Sequence, residues 1–429
     1  MNIAFYTLGC KVNQYETQSL REEFARAGYN AVSEKSAFDI AVINSCTVTA
    51  ESDRKTRQLL HRLRRENPDA VIVLTGCMVQ AFPEETKEIA GADIITGNTD
   101  IKNIIALTER FLSDKKRIYE VEAHKTGEKF NTPLITSFAE RTRAYMKIED
   151  GCDRFCSYCI IPYARGRVRS KPASQIRQEA EKLSENGFSE IVLTGINLSA
   201  YGKDCGLDLC DAVDAVCEVE GIKRVRLGSL EPDHISDEML KRLKGQEKFC
   251  PQFHLSLQSG CDTTLKRMNR HYDTGFYYDL ITRIRKMFPQ ASVTTDVMVG
   301  FAGETEDEFN QSLEFVRKVG FAKTHVFMYS RRKGTAAYKL PFQVDSAEKG
   351  RRSKLMISAA ALSEREFLKK QVGLVFPVLF EAGQNGVSEG YTPNYSRVRV
   401  SQNRDVLGKI MNVKIISSDD SYCTGEIVD

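Results

Sequence analysis

Gly151–Arg167 reads GCDRFCSYCIIPYARGR. Cys152, Cys156 and Cys159 stand in a Cys-x3-Cys-x2-Cys spacing, which puts three thiols on one compact loop. Three thiolates so placed can hold three irons of a cubane cluster and leave the fourth iron open to a small molecule. Zinc is the rival metal, but structural zinc sites usually close with four ligands, and no fourth Cys or His stands nearby in the sequence. Three unrelated buried thiols are the blander alternative. The loop directly follows Ala144–Ile148, an apolar run that reads as a β-strand.

Downstream, further strand-like runs recur at Glu190–Leu193, Arg224–Leu227, Gln252–Leu257, Ser292–Val299 and Lys323–Met328, with helical stretches between them. Units of this kind predict a partial (β/α)6 barrel spanning 141–345, with its active site at the carboxyl ends of the strands. The cysteine loop would sit at that mouth. Upstream, 1–117 alternates short apolar runs (Ile3–Leu8, Ile40–Ile43, Ala70–Leu74, Asp93–Ile95) with helix-like stretches such as Thr17–Ala27 and Ser52–Arg65. That alternation predicts a doubly wound parallel sheet, an α/β domain. A linker follows at 118–140, most polar from Lys125 onward, and a charged helical connector is expected at 346–370. Over 371–429 the pattern turns to short alternating runs punctuated by Gly383, Asn385, Gly386 and Pro393, the mark of a small antiparallel β-barrel.

With 429 residues the chain needs two or three domains rather than one core. Hydrophobic residues at 41% and charged ones at 28% describe a globular protein, and no run of about 20 apolar residues predicts a membrane span. The opening MNIAFYTLGCKVN lacks the charged and apolar regions of a secretory signal, so the expected location is the cytoplasm. Twelve cysteines in such a chain point to metal or chemistry more than to disulfides. A net charge of +3 says nothing by itself about nucleic acid.

Cys10, Cys46 and Cys77 look scattered, yet each ends a predicted strand: IAFYTLGC, IAVINSC and VIVLTGC. Ends of neighbouring parallel strands converge on one sheet edge, where ligands bind. One βα unit takes about 30 residues, which matches the intervals between these cysteines. Gly9 and Gly76 precede two of them and would let the backbone close around a bulky ligand. A lone cysteine of this kind would read as core packing; three at one structural station read as a second three-thiolate cluster site, again with an open iron. Cys205, Cys210, Cys217, Cys250, Cys261 and Cys423 show no ligand pattern.

These features resemble the methylthiotransferases of the radical S-adenosylmethionine (SAM) superfamily over nearly the whole chain. The motifs are TLGCKVNQYET, INSCTVTAESDRKTR and LTGCMVQ, then GCDRFCSYCIIPYARGRVRS, LTGINLSAYG, LGSLEP, HLSLQSG and TDVMVGFAGETEDEF. The tail resembles a TRAM domain, a small barrel that presents substrate, usually RNA. Within the family, KVNQYET and the overall pattern are most similar to the branch acting on N6-threonylcarbamoyladenosine beside the tRNA anticodon. Sister branches act on isopentenyladenosine in tRNA or on an aspartate of a ribosomal protein; the isopentenyladenosine branch has a glutamine and a methionine where Lys11 and Val12 stand. The resemblance implies two 4Fe-4S clusters, one SAM-binding and one auxiliary. It also implies two uses of SAM: as methyl donor to a sulfur at the auxiliary cluster, and as source of a 5′-deoxyadenosyl radical that takes the hydrogen from adenine C2. That C–H bond is beyond ordinary acid–base groups, so a cofactor must supply the hard step.

SAM needs polar handles at strand ends. Tyr158 within the loop, Gly195 and Asn197 in LTGINLSAYG, and Asp296 in TDVMVGF are the candidates. RNA affinity rests on phosphate neutralisation, which nominates Arg165, Arg167 and Arg169 after the cluster loop, Arg331, Arg332 and Lys333 after the last strand, and Arg397 and Arg399 in the tail. The expected partners are tRNA and an electron donor such as flavodoxin or ferredoxin, with a monomer as the default. The rival from another class is an iron–sulfur electron carrier or RNA-binding module without catalysis; a carrier would want saturated ligation, whereas both triads leave an iron open.

Overall fold

The structure is a computed structural model and describes residues 1–138, 141–401 and 405–428. The last two residues of the expected linker therefore lie outside the described residues. The front domain is a six-stranded parallel sheet in the order Asn30–Val32, Asn2–Thr7, Ile40–Ser45, Val71–Gly76, Ile94–Thr96, Ile118–Glu120. The two central strands are buried along their whole length, which is why they read as unbroken apolar runs rather than alternating ones. Leu20 and Phe24 of helix Lys11–Arg26 pack on one face with Ile104, Leu107 and Phe111 of helix Asn103–Asp114. Leu60 and Leu63 of helix Ala50–Glu66 cover the other face. Thr49 starts that helix by accepting the Ser52 N–H, satisfying one of its orphan amides.

In this strand order the chain reverses its direction of travel between Asn2–Thr7 and Ile40–Ser45. Such a switch point opens a crevice at the carboxyl edge of the sheet, the place where doubly wound folds bind ligands. The linker expected at 118–140 begins later than the sequence implied, because Ile118–Glu120 adds a sixth strand beside Ile94–Thr96. Its shortness hid it; three residues carry no period. The rest of the linker is tied down rather than loose: Glu22 accepts from the Thr136 and Ser137 amides, and Tyr15 donates to the Pro133 carbonyl at 3.1 Å.

The central barrel carries Ala144–Lys147, Glu190–Thr194 and Arg224–Leu227 in one parallel sheet and Ser229–Leu230, Gln252–Leu255, Ser292–Val299 and Lys323–Met328 in a second. Gly228 separates the two, its N–H donating to Leu193 O at 2.9 Å, and a bridge from Val225 to Phe249 carries the curvature across. Helix Ser346–Lys369 lies against the last strand and is part of this wall. The tail is a closed five-stranded barrel (Val375–Gln384, Val387–Tyr391, Arg397–Ser401, Cys423–Ile427, Ile410–Ser418) around Phe376, Val378, Phe380, Val398 and Val413. Val387–Tyr391 was not legible as a strand. One pair of the ring, Arg397–Ser401 with Cys423–Ile427, is parallel, which corrects a purely antiparallel expectation.

Two carboxylates dock the tail on the barrel: Glu381 of the tail accepts from Arg143 at 3.0 Å, and Glu190 of the barrel works through two arginines. Buried Glu190 takes Arg226 at 3.0 Å and Arg224 at 3.3 Å, and both guanidiniums reach on to tail carbonyls, Arg226 to Pro393 at 2.8 Å and Arg224 to Tyr391 at 3.1 Å. Burial would raise Glu190, but Arg226, Arg143 and Arg224 hold it below the ordinary carboxylate range.

Candidate active site

Cys10, Cys46 and Cys77 meet at the crevice of the front sheet. Cys10 follows the first strand and stands at the N-cap of helix Lys11–Arg26, where burial raises its thiol and the charge of Arg165 only partly opposes that. Cys46 follows Ile40–Ser45, and Cys77 follows Val71–Gly76. Side chains stitch the three ends together. Asn13 Nδ2 donates to Leu8 O at 2.9 Å and to Ser45 O at 3.0 Å, and Ser45 Oγ donates to Thr75 O at 2.6 Å.

Two glycines make this crowding possible. A Cβ on Gly9 would lie 2.8 Å from Cys46 Cβ, and one on Gly76 would lie 2.5 Å from Ser45 O. Gly76 has φ 98° and ψ −165°, a conformation open only to glycine. Replacing Gly76 by Ala is expected to destabilise the front domain by about 1–3 kcal/mol from backbone strain alone. Thermal unfolding checks this, and an unchanged midpoint would refute it.

The second triad lies on the loop after Ala144–Lys147. Cys152 N donates to Gly166 O at 3.0 Å, Cys159 N to Cys156 O at 2.9 Å, and Ser157 N to Met268 O at 3.0 Å. A Cβ on Gly151 would strike Arg167 O at 1.9 Å, so only glycine lets the loop fold back on its own end. Cys156 Sγ accepts from Arg270 at 3.2 Å.

The donor chemistry fits a cationic cluster in both places. Burial pushes the Cys77, Cys152 and Cys159 thiols up to about 12. They would become thiolates only against a strong local positive charge, which bound iron supplies. Among the described residues, no three His, Cys, Asp or Glu side chains gather closely enough for a single metal ion.

Arg165 links the triads, and sequence reasoning misplaced it. It was expected to face RNA; instead its side chain is 0% exposed. Its Nε donates to Cys77 Sγ at 3.1 Å, its Nη2 to Asn13 Oδ1 at 2.8 Å and Glu16 Oε2 at 2.9 Å. Lys147 Nζ bridges Glu16 and Asp150, both at 2.7 Å, and Arg169 reaches Asp150 at 3.2 Å. Arg169 is thus buried and committed too. Arg332, also assigned to RNA, is 5% exposed and donates to Thr47 and Asp53 of the front domain at 2.6 Å. A guanidinium already desolvated and paired has no face left for phosphate.

Other basic candidates stay accessible. Arg167 is exposed beside Asp153 at 3.2 Å and Arg331 is exposed over the Tyr338 ring. Lys333 is exposed and pairs with Glu85 at 2.8 Å. Arg397 and Arg399 share Glu389 and border one open groove of the tail.

At the barrel mouth, Gly195 is pressed on Glu149, where a Cβ would sit 2.5 Å from Oε2, and the Asn197 N–H donates to the same oxygen at 2.8 Å. Glu149 Oε1 and Asn197 Oδ1 are buried with no partner among the described residues, two polar atoms available to a ligand. Burial raises the Glu149 carboxyl well above its usual range. Tyr158 packs edge-on against Phe301 beneath the loop. Asp296 pairs with His254 at 3.2 Å and faces a cavity of about 540 Å³ enclosed by the barrel strands, the tail domain and the start of helix Lys11–Arg26. Glu149, Arg270 and Glu16 were missed because nothing local in sequence marks them; their partners Asn197, Cys156 and Arg165 stand 48, 114 and 149 positions away.

A parallel barrel with a three-cysteine loop at its mouth defines a radical SAM enzyme. Residues 146–316 match the model described as the radical SAM superfamily, and residues 2–97 match one described as "Uncharacterized protein family UPF0004". The chain is 37% identical to the threonylcarbamoyladenosine tRNA methylthiotransferase MtaB of Bacillus subtilis over 99% of its length and 96% of that protein. It is 36% identical to the protein of the same name from Thermotoga maritima, over 99% and 97%. It is 32% identical to the tRNA-2-methylthio-N(6)-dimethylallyladenosine synthase of Finegoldia magna, over 99% and 94%. Among solved structures it resembles the radical SAM methyltransferase TsrM of Kitasatospora setae with a TM-score of 0.57 at 12% identity, covering 90% of this chain and 77% of that one, a likeness of fold alone. The chain belongs to the radical SAM methylthiotransferase family.

Proposed function

We propose that this chain transfers a methylthio group to C2 of N6-threonylcarbamoyladenosine beside the anticodon of tRNA. The observation that carries this reading is end-to-end similarity. Four relatives named for threonylcarbamoyladenosine are 33–37% identical over 91–99% of this chain, three of them at 36–37%, against 32–33% for those named for dimethylallyladenosine.

In this reading Cys152, Cys156 and Cys159 hold the SAM-binding 4Fe-4S cluster, and Cys10, Cys46 and Cys77 hold the auxiliary one. When bound, these groups supply radical cleavage of SAM and the sulfur chemistry. The chain's own residues place and shield. Glu149 and Asn197 present unpartnered polar atoms at the barrel mouth, Gly195 keeps the wall thin there, and Asp296 with His254 polarises the cavity. Arg165 holds the two triads in register, and Arg270 orients Cys156. Residues 1–120 form the auxiliary-cluster domain, 141–369 the catalytic barrel with its outer helix, and the tail barrel is a TRAM-like RNA platform. Arg167, Arg331, Arg397 and Arg399 are the phosphate contacts. A flavodoxin or ferredoxin would supply electrons, and the enzyme works as a cytoplasmic monomer. No helix among the described residues is long and apolar enough to cross a membrane.

The test is nucleoside mass spectrometry of bulk tRNA from a strain lacking the gene. The 2-methylthio form of N6-threonylcarbamoyladenosine should vanish while its precursor accumulates, and plasmid-borne enzyme should restore it. Loss of the dimethylallyl-type product instead would overturn the substrate.

A further inference from the structure

We infer that Lys11 recognises a carboxylate on the substrate and thereby sets which modified adenosine this chain accepts. The inference rests on the threonylcarbamoyladenosine reading and adds a recognition residue to it. Lys11 opens helix Lys11–Arg26, and its side chain lines the cavity of about 540 Å³ between barrel and tail together with Arg143, Arg226, His254, Asp296 and Tyr395.

The charges of this cavity are nearly all committed. Arg143 donates to Glu381 at 3.0 Å and Arg226 pairs with Glu190 at 3.0 Å. Lys323 pairs with Glu364 at 3.4 Å, Arg397 with Glu389 at 2.6 Å, and Asp296 with His254 at 3.2 Å. Lys11 differs. Among the described residues its ammonium has no hydrogen bond or ion pair, and it lies 5.8 Å from the centroid of the Tyr145 ring with Arg143 and Arg226 as cationic neighbours. A cation left single in a cavity whose other charges are matched is a receptor for an anion.

The chemistry of the two kinds of relative separates what that anion can be. A threonylcarbamoyl group on N6 ends in a carboxylate, whereas a dimethylallyl group is pure hydrocarbon. Adenine C2 and N6 flank N1 on one edge of the ring, so a group on N6 lies beside the carbon to be modified. Lys11 adjoins Cys10 in the chain. A carboxylate held by its ammonium therefore turns the C2 edge toward the front triad. An RNA phosphate and the carboxylate of SAM are the other anions that could reach it, and the test separates all three.

Full-length reconstituted enzyme and its Lys11→Gln and Lys11→Arg variants are titrated at one fixed ionic strength with three anticodon stem-loops. One carries N6-threonylcarbamoyladenosine, one its methyl ester, and one plain adenosine; SAM affinity is measured in parallel. The wild-type protein should prefer the free carboxylate. Lys11→Gln should lose about tenfold to a hundredfold on that stem-loop alone, the worth of a charge-assisted hydrogen bond. Lys11→Arg should keep most of the preference. Equal weakening on all three stem-loops would assign Lys11 to phosphate, and weakening of SAM alone would assign it to the cofactor; either overturns the inference, as does no change. If wild type shows no preference and forms no methylthio product from the threonylcarbamoyl stem-loop, the substrate reading itself falls.

Discussion

Replacing Cys152, Cys156 and Cys159 together by alanine yields a protein that keeps about four irons per chain, the content of one remaining cubane. The same protein releases no 5′-deoxyadenosine when reduced with SAM. The reciprocal variant, with Cys10, Cys46 and Cys77 replaced, also keeps about four irons but still cleaves SAM, and forms no methylthio product. The expectation follows from geometry. The loop triad is built by one loop closed on itself through Gly151 and Gly166. The front triad is built by three strand ends whose backbones Asn13 and Ser45 tie together, with only the Arg165 side chain reaching it from the end of that loop. Each should load on its own. If removing either triad empties the protein of iron, there is a single cluster and the two-site reading is wrong.

What was legible in the sequence follows from how local the signal is. The loop triad shows its spacing within eight residues, and the front triad shows because a βα unit has a fixed length, so strand ends recur at a readable interval. The buried parallel strands show as apolar runs, and their positions shifted by only a residue or two. What failed was pairing between distant parts. Arg165 stands among Arg167 and Arg169 in a basic stretch that looks like an RNA face, yet its partner Glu16 lies 149 positions away. Charge is visible in sequence, but desolvation is not. Short elements failed for the opposite reason: Ile118–Glu120 and Asn30–Val32 are too brief to show a period and exist because a neighbouring strand offers them a free edge.

Glu16→Gln should lower the stability of the assembled protein by about 3–5 kcal/mol at neutral pH, the usual consequence of breaking a buried ion pair from one side. The substitution keeps the shape and removes one charge. Arg165 and Lys147 would then share Asp150, with Arg169 already on the same carboxylate. A drop of roughly 6–10 °C in the melting midpoint is the corresponding reading. Because Glu16 belongs to the front helix while Arg165 and Lys147 belong to the barrel, the variant should also be cut faster by protease within 121–138. The pH dependence distinguishes lost charge from lost packing. Burial would raise the Glu16 carboxyl, but Arg165 and Lys147 outweigh it and hold it below its ordinary value. A carboxylate depressed in the folded state stabilises above its unfolded pKa of about 4.3, and that stability disappears as pH falls through the folded value. The gap between wild type and Glu16→Gln should therefore be constant from pH 7 to about 5, begin to shrink below about 4.3, and close only below the depressed folded value, where Glu16 is protonated in both states. A gap that persists unchanged in acid would mean that Glu16 contributes shape rather than charge, and the ion network would not be what joins the two cysteine sites.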